Sequence, residues 1–123
     1  MAQADHDRRI DYIELPATDM AATRAFYEQA FGWQFQSWGD EYFSFEDGRL
    51  AGGLRKAESN TTGGPLVVIY ALDLAAIHEQ VTAAGGRISV DTFSFPGGRR
   101  FQFLDPSDNE LAVWTDQGLE ADG

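Results

Sequence analysis

The sequence predicts an α+β fold: two tandem βαβββ modules forming a curved mixed sheet around a central cleft. The first observation behind this is an internal match. Shifting the chain by 54 positions lays Asp19, Ala21 and Ala22 on Asp73, Ala75 and Ala76, Gly32 on Gly86, and Ile13 and Leu15 on Val67 and Ile69. The second is how the match drifts. The offset grows by four, so that Phe43, Phe45 and Asp47 fall on Phe101, Phe103 and Asp105, then by three more, so that Leu50 and Ala51 fall on Leu111 and Ala112. Turn insertions in a duplicated unit produce such drift. The third is that each copy reads strand, helix, strand, strand, strand.

In chain order, Met1 to Arg8 reads as a frayed arm and Ile10 to Leu15 as the first strand, stopped by Pro16. Asp19 stands where a helix N-cap belongs. Ala22, Phe26 and Ala30 then recur at helical spacing with Tyr27 beside them, and Gly32 supplies the left-handed residue that closes the helix. Strand two is Trp33 to Trp38; Gly39-Asp40 turns into strand three, Glu41 to Glu46, and Asp47-Gly48 makes a hairpin into strand four, Arg49 to Arg55. The linker-like stretch 57–65 follows. Strand five is Leu66 to Ala71, helix two Asp73 to Ala84, strand six Arg87 to Phe95, strand seven Arg99 to Leu104 and strand eight Glu110 to Thr115. The modules therefore span 9–56 and 66–115 of a single domain at 9–115, with flexible termini at 1–8 and 116–123.

At 123 residues, 43% apolar and 13% aromatic, the chain is long enough to bury a core. No apolar run reaches the roughly 18 residues of a membrane helix, and the first residues lack the apolar middle of a signal peptide, so a cytoplasmic protein with no membrane partner is expected. With no cysteine, disulfides, thiolate chemistry and zinc–sulfur sites are excluded. A net charge of −11 argues against nucleic acid. The acids are scattered, which serves solubility and fits a cationic ligand only loosely.

Strand alternation sorts the side chains into two faces. Ile13, Leu15, Phe43, Phe45, Val67, Ile69, Phe101, Phe103, Leu111 and Val113 form an apolar set that belongs under the helices. The opposite set mixes aromatic, small and polar residues, as small-molecule clefts do. Two sheets curling toward one another are expected to enclose it. Its candidate ligand-binding residues are Tyr12, Glu14, Ser44, Tyr70, Arg100, Gln102 and Trp114. Glu14, a carboxylate on an apolar strand, is also the candidate general base, and Arg100, on the same predicted face, is either its ion-pair partner or a holder of carboxylate or phosphate. Glu110 is expected to point away from this face.

The run from Thr18 to Trp33, the Ala83 to Gly86 end of helix two and the stretch from Phe103 to Trp114 (FLDPSDNELAVW) resemble the vicinal oxygen chelate superfamily, which contains glyoxalase I, bleomycin-resistance proteins, fosfomycin-resistance enzymes and extradiol dioxygenases. The resemblance covers 9–115 and implies the paired-module fold, a homodimer and, in the enzymes, a divalent metal held by inward His and Glu. The matching positions here are Tyr12, Ala51, Leu66 and Ala112, none a usual ligand. The only histidines, His6 in the arm and His78 in helix two, stand elsewhere, so neither a metal nor any other cofactor is expected.

Several local signals carry no chemistry. Pro96 to Arg100 lacks phosphate-loop spacing and reads as a hairpin turn; Ser94 and Ser107 have no histidine placed to activate them; Gly52-Gly53 reads as a bulge or close approach. Three function classes remain. The favoured one is a metal-free protein that binds a small, partly aromatic molecule, as bleomycin-resistance proteins do by sequestration. A lyase, isomerase or dioxygenase-related enzyme with Glu14 as base is the second. The third is a structural or regulatory partner-binding module, whose cleft its own side chains would fill.

Overall fold

The computed structural model describes residues 3–59 and 64–117. Parts of the expected linker and of both expected flexible termini therefore lie outside the described residues. After a short 3-10 turn at Gln3–His6 come β1 (Tyr12–Ala17), α1 (Met20–Phe31), β2 (Gln34–Ser37), β3 (Tyr42–Glu46), β4 (Ala51–Lys56), β5 (Val67–Tyr70), α2 (Leu74–Ala83), β6 (Arg87–Phe95), β7 (Gly98–Leu104) and β8 (Glu110–Thr115). They form two four-stranded sheets of matching order, β1-β4-β3-β2 and β5-β8-β7-β6. In each, the first strand lies parallel to the last and the remaining pairs are antiparallel. This is the expected α+β class with the expected repeat of strand, helix and three strands.

The helix signals translate directly. Asp19 accepts a hydrogen bond from the Ala22 amide at 3.0 Å, and Asp73 does the same for Ala76 at 3.1 Å, so both helices begin at a side-chain cap. Gly32 closes α1 at φ 72°, a conformation that costs a side-chain-bearing residue free energy. In the second unit the left-handed residue is Gly85, not the Gly86 that the 54-residue match selects. Gly86 has a packing role instead: a Cβ there would lie 2.7 Å from the Phe26 ring. Pro16 is the other correction. It continues β1 opposite Arg55 rather than stopping it. The physical reason is that β1 is an edge strand, where a missing N–H breaks no ladder, and the Pro16 carbonyl accepts from Asn109 Nδ2 at 2.7 Å.

One apolar cluster joins both units. Leu15, Phe45 and Leu54 of the first sheet share it with Phe101, Phe103, Leu111 and Val113 of the second. Helix α1 carries the junction: Tyr27 stacks on Trp33 at 4.4 Å, Trp33 on Phe45 at 4.5 Å, and Phe26 and Phe31 reach Phe103 at 5.6 and 5.8 Å. A polar staple reinforces it from the turn between β7 and β8. Asp105, 1% exposed, accepts from Tyr27 Oη at 2.9 Å and from the Ser107 and Asn109 amides at 2.8 and 3.0 Å. Ser107 Oγ in turn accepts from the Thr18 and Asp19 amides. Burial pushes the Asp105 carboxyl up, against hydrogen bonds from Asn109, Tyr27 and Ser107 that draw it down.

This shared core sets the orientation of everything else. The helix-facing side of each sheet turns inward to it, and by alternation the mixed set lies on the opposite side of each sheet. On these faces Tyr12, Val68 and Tyr70 are 43, 44 and 47% exposed.

Candidate functional site

The predicted residues fall into two half-sites on separate sheets. Tyr12, Glu14 and Ser44 share the outer face of the first sheet, where Glu14 and Ser44 both stand opposite Gly53. Glu14 Oε1 takes an ion pair from Arg55 Nε at 3.2 Å, and Glu14 Oε2 accepts from Tyr42 Oη at 3.0 Å. Tyr12 and Tyr42 join hydroxyl to hydroxyl. A hydroxyl has one proton, so Tyr42, which gives its own to Glu14, receives that of Tyr12. The result is a chain from the Tyr12 phenol through Tyr42 to a carboxylate anchored by a guanidinium. Burial, the bonds to Tyr12 and Glu14 and their charges raise the Tyr42 phenol well above its ordinary value of 10. Beside it, Trp38 Nε1 donates to Ser44 Oγ at 2.8 Å.

Tyr70, Arg100, Gln102 and Trp114 occupy the outer face of the second sheet. Trp114 lies across from both Tyr70 and Arg100, and meets the Tyr70 ring edge-on at 5.3 Å. Arg100 lies over Phe93 at 5.3 Å, so it does not pair with Glu14, which belongs to the other sheet. Tyr70 Oη donates to Asp116 at 2.7 Å, a bond that lowers the carboxyl of Asp116. Gln102 Nε2 donates to Glu110 Oε2 at 3.0 Å, and Ser89 Oγ to the same oxygen at 2.7 Å. Glu110 therefore shares the face of Ala112, contrary to the expectation, because residues two apart on a strand point the same way.

Tyr42, Arg55 and Trp38 were not singled out in the sequence, although alternation from Ser44 and Glu14 reaches all three. Gly53 is required by the cluster. A Cβ there would overlap the Tyr42 hydroxyl and come within 2.6 Å of that of Tyr12.

Of the four metal positions, Tyr12 and Ala51 face each other across the β1–β4 pair, Ala112 lies across from Val68, and Leu66 immediately precedes β5. One phenol and three aliphatic side chains do not make the three or more donors a divalent ion needs. Among the described residues no group of three His, Cys, Asp or Glu gathers anywhere. His78 stands within 3.4 Å of Asp91 and edge-on to Phe101 at 4.8 Å, away from these positions.

Space remains between the units. A groove of about 1350 Å³ opens between edge strands β1 and β5, with Ile13, Leu15, Phe31, Val67, Ile69 and Ile77 among its walls, and it reaches Ala51, Tyr70 and Trp114. Its walls combine residues of the helix-facing set with Ala30 and Phe31 of α1 and Ala76 and Ile77 of α2. It is not filled by the chain's own side chains. Among the described residues no helix is long and apolar enough to cross a membrane.

Comparison with known proteins agrees with this architecture. A profile of the glyoxalase/bleomycin resistance protein/dioxygenase superfamily matches residues 9–113. A glyoxylase-like domain-containing protein of Didymella fabae is 33% identical over 125 residues, covering 89% of this chain and 95% of that protein. Lactoylglutathione lyase from Agrobacterium tumefaciens superposes with a TM-score of 0.71 at 21% identity, over 88% of this chain and 93% of that one. A fosfomycin resistance protein of Listeria monocytogenes, solved with Mn(II) and 1S,2S-dihydroxypropylphosphonic acid, gives a TM-score of 0.75 at 17% identity, over 86% and 88%. With two βαβββ units, the same strand order in each sheet and a family match spanning nearly all of both, the chain belongs to the glyoxalase/bleomycin resistance protein/dioxygenase superfamily.

Proposed function

We propose that this protein binds a small, partly aromatic organic molecule without a protein-held metal ion, on a site completed by a second copy of the chain. The observation that carries this reading is the pair of outer faces. Each joins aromatic surface to a few polar groups, and each stands open in the single chain, with Tyr12 and Tyr70 43 and 47% exposed. Pairing two copies through the unpaired edges of β1 and β5 would set a first-sheet face against a second-sheet face. Exposed apolar residues flank those edges, Ile10 at 79% and Leu72 at 71%, and the groove between them is apolar-walled. The net charge of −11 supports a small-molecule partner over nucleic acid, and a cytoplasmic location fits the absence of cysteine. The relatives' names, a lactoylglutathione lyase and a fosfomycin resistance protein, also point to small molecules.

The test is a thermal-shift screen of chelator-treated protein against small aromatic compounds. Concentration-dependent stabilisation by some of them supports the reading; a flat response across the screen, with stabilisation by a divalent metal alone, refutes it. Catalysis is a second reading, favoured by the Tyr12–Tyr42–Glu14 chain. Both Glu14 oxygens are engaged, so a proton would reach the carboxylate through the two phenols. Turnover that survives chelator and disappears in Glu14→Gln would establish it.

A further inference from the structure

We infer that Arg100 is an anion-recognising group, so that the ligand taken by the outer face of the second sheet carries a carboxylate or phosphate beside a flat aromatic body. This deepens the ligand-binding reading above and rests on it.

Arg100 stands half-buried in an acidic chain. The chain holds 20 acidic residues and 9 basic ones, yet among the described residues this half-buried guanidinium has no ion pair and no hydrogen bond. Its Nε is sealed from solvent and still lacks an acceptor. An unsatisfied donor of a charged group is costly, and an arriving oxyanion bound by the rest of the guanidinium would offset that cost.

The side chain is also held ready. Its guanidinium lies over the Phe93 ring at 5.3 Å, which fixes the plane while leaving the N–H fork free for bidentate recognition of an oxyanion. Phe93 and Trp114 are its neighbours on the two flanking strands. Beyond Trp114 stand Phe95, with ring centres 6.5 Å apart, and Tyr70 at 5.3 Å. Gly98 permits close packing here, since a Cβ would overlap the Thr115 carbonyl oxygen and come 3.2 Å from Trp114 and 3.3 Å from Phe95. A cation fixed beside a bank of rings matches a flat body with an acidic substituent.

The acids that could neutralise Arg100 from within are committed elsewhere. Glu110 holds Ser89 and Gln102. Asp116 holds Tyr70 and Gln117. Glu14 holds Arg55 and Tyr42 on the other sheet.

The experiment is isothermal titration of the full chain with three probes sharing one ring system: naphthoate, naphthamide and naphthylmethylammonium. Wild type is expected to bind naphthoate about tenfold tighter than naphthamide or better, the size of a charge-assisted hydrogen bond. In Arg100→Gln the two should differ by no more than about twofold, with naphthamide affinity unchanged. Arg100→Lys should keep part of the preference, and it carries the test if the glutamine variant fails to fold. Equal binding of naphthoate and naphthamide by wild type overturns the anion assignment while leaving ligand binding intact. Tightest binding of the ammonium compound overturns it as well. Binding of none of the three by folded wild type counts against this inference and the reading beneath it together.

Discussion

Replacing Gly52 or Gly53 by alanine adds the same methyl group to adjacent residues of β4, on opposite faces of the sheet, and the two variants are expected to fail in different ways. At Gly52 the methyl would overlap the Ile13 carbonyl oxygen and the Phe45 ring. Neither can yield cheaply. The carbonyl belongs to the parallel neighbour β1, and Phe45, 6% exposed, is stacked on Trp33 at 4.5 Å. Overpacking of this kind costs about 1–3 kcal/mol before any backbone displacement is added. At about 4 °C per kcal/mol for a chain of this size, the melting temperature of Gly52→Ala should fall by about 4–12 °C or more. At Gly53 the methyl meets only the hydroxyl ends of Tyr42 and Tyr12, side chains near the surface that can swing outward. Alanine also loses less backbone entropy than glycine on folding, so the melting temperature should stay within about 4 °C of wild type. The site, however, is dismantled: Tyr42 leaves Glu14, and its phenol returns toward the ordinary value of about 10. Thermal unfolding reads the first effect, and ultraviolet titration of the phenolates reads the second, with Tyr42→Phe identifying the contribution of that residue. A Gly53→Ala protein that unfolds as readily as Gly52→Ala, or that titrates like wild type, would show the reasoning about the two faces of β4 to be wrong.

Tyr27→Phe removes a buried donor to Asp105 and should cost about 1–3 kcal/mol in urea unfolding. The same variant tests a pH dependence. Burial, with Asp105 alongside, raises the Tyr27 hydroxyl well above 10, so above pH 10 the unfolded chain loses a proton that the native one keeps. That contribution is fully present below pH 10 and declines above it by up to about 1.4 kcal/mol per pH unit, and Tyr27→Phe should flatten the slope; an unchanged slope would contradict the assignment. Leu72→Asp places a charge beside the unpaired β5 edge and should weaken a dimer at least about tenfold in sedimentation equilibrium. A monomeric wild type, or a variant that associates as wild type does, would exclude pairing through that edge.

Much of the architecture was legible because duplication repeats its punctuation. Asp19 and Asp73 cap their helices where the match places them, and the apolar set from Ile13 to Val113 faces the helices. Two misplacements have local causes. Pro16 is accepted because β1 lies at an edge, and the left-handed turn of the second unit falls on Gly85 because Gly86 is taken up by packing against Phe26. The site was legible only within each sheet. Alternation tells which residues share a face but not which faces of different sheets meet, so Glu14 and Arg100 looked like partners when their true neighbours are Arg55 with Tyr42, and Phe93. The junction through α1 depends on contacts such as Phe26 to Phe103 and Tyr27 to Asp105, and no periodicity announces them.

The central proposal is that this chain holds no metal ion at the four positions its family resemblance selects, Tyr12, Ala51, Leu66 and Ala112. Equilibrium dialysis of chelator-stripped protein against Mn(II), Zn(II) and Ni(II), followed by elemental analysis, measures this directly. The account predicts far less than one ion retained per chain and no saturation. Saturable uptake of one ion per chain, lost when Tyr12 is replaced by phenylalanine, would contradict it.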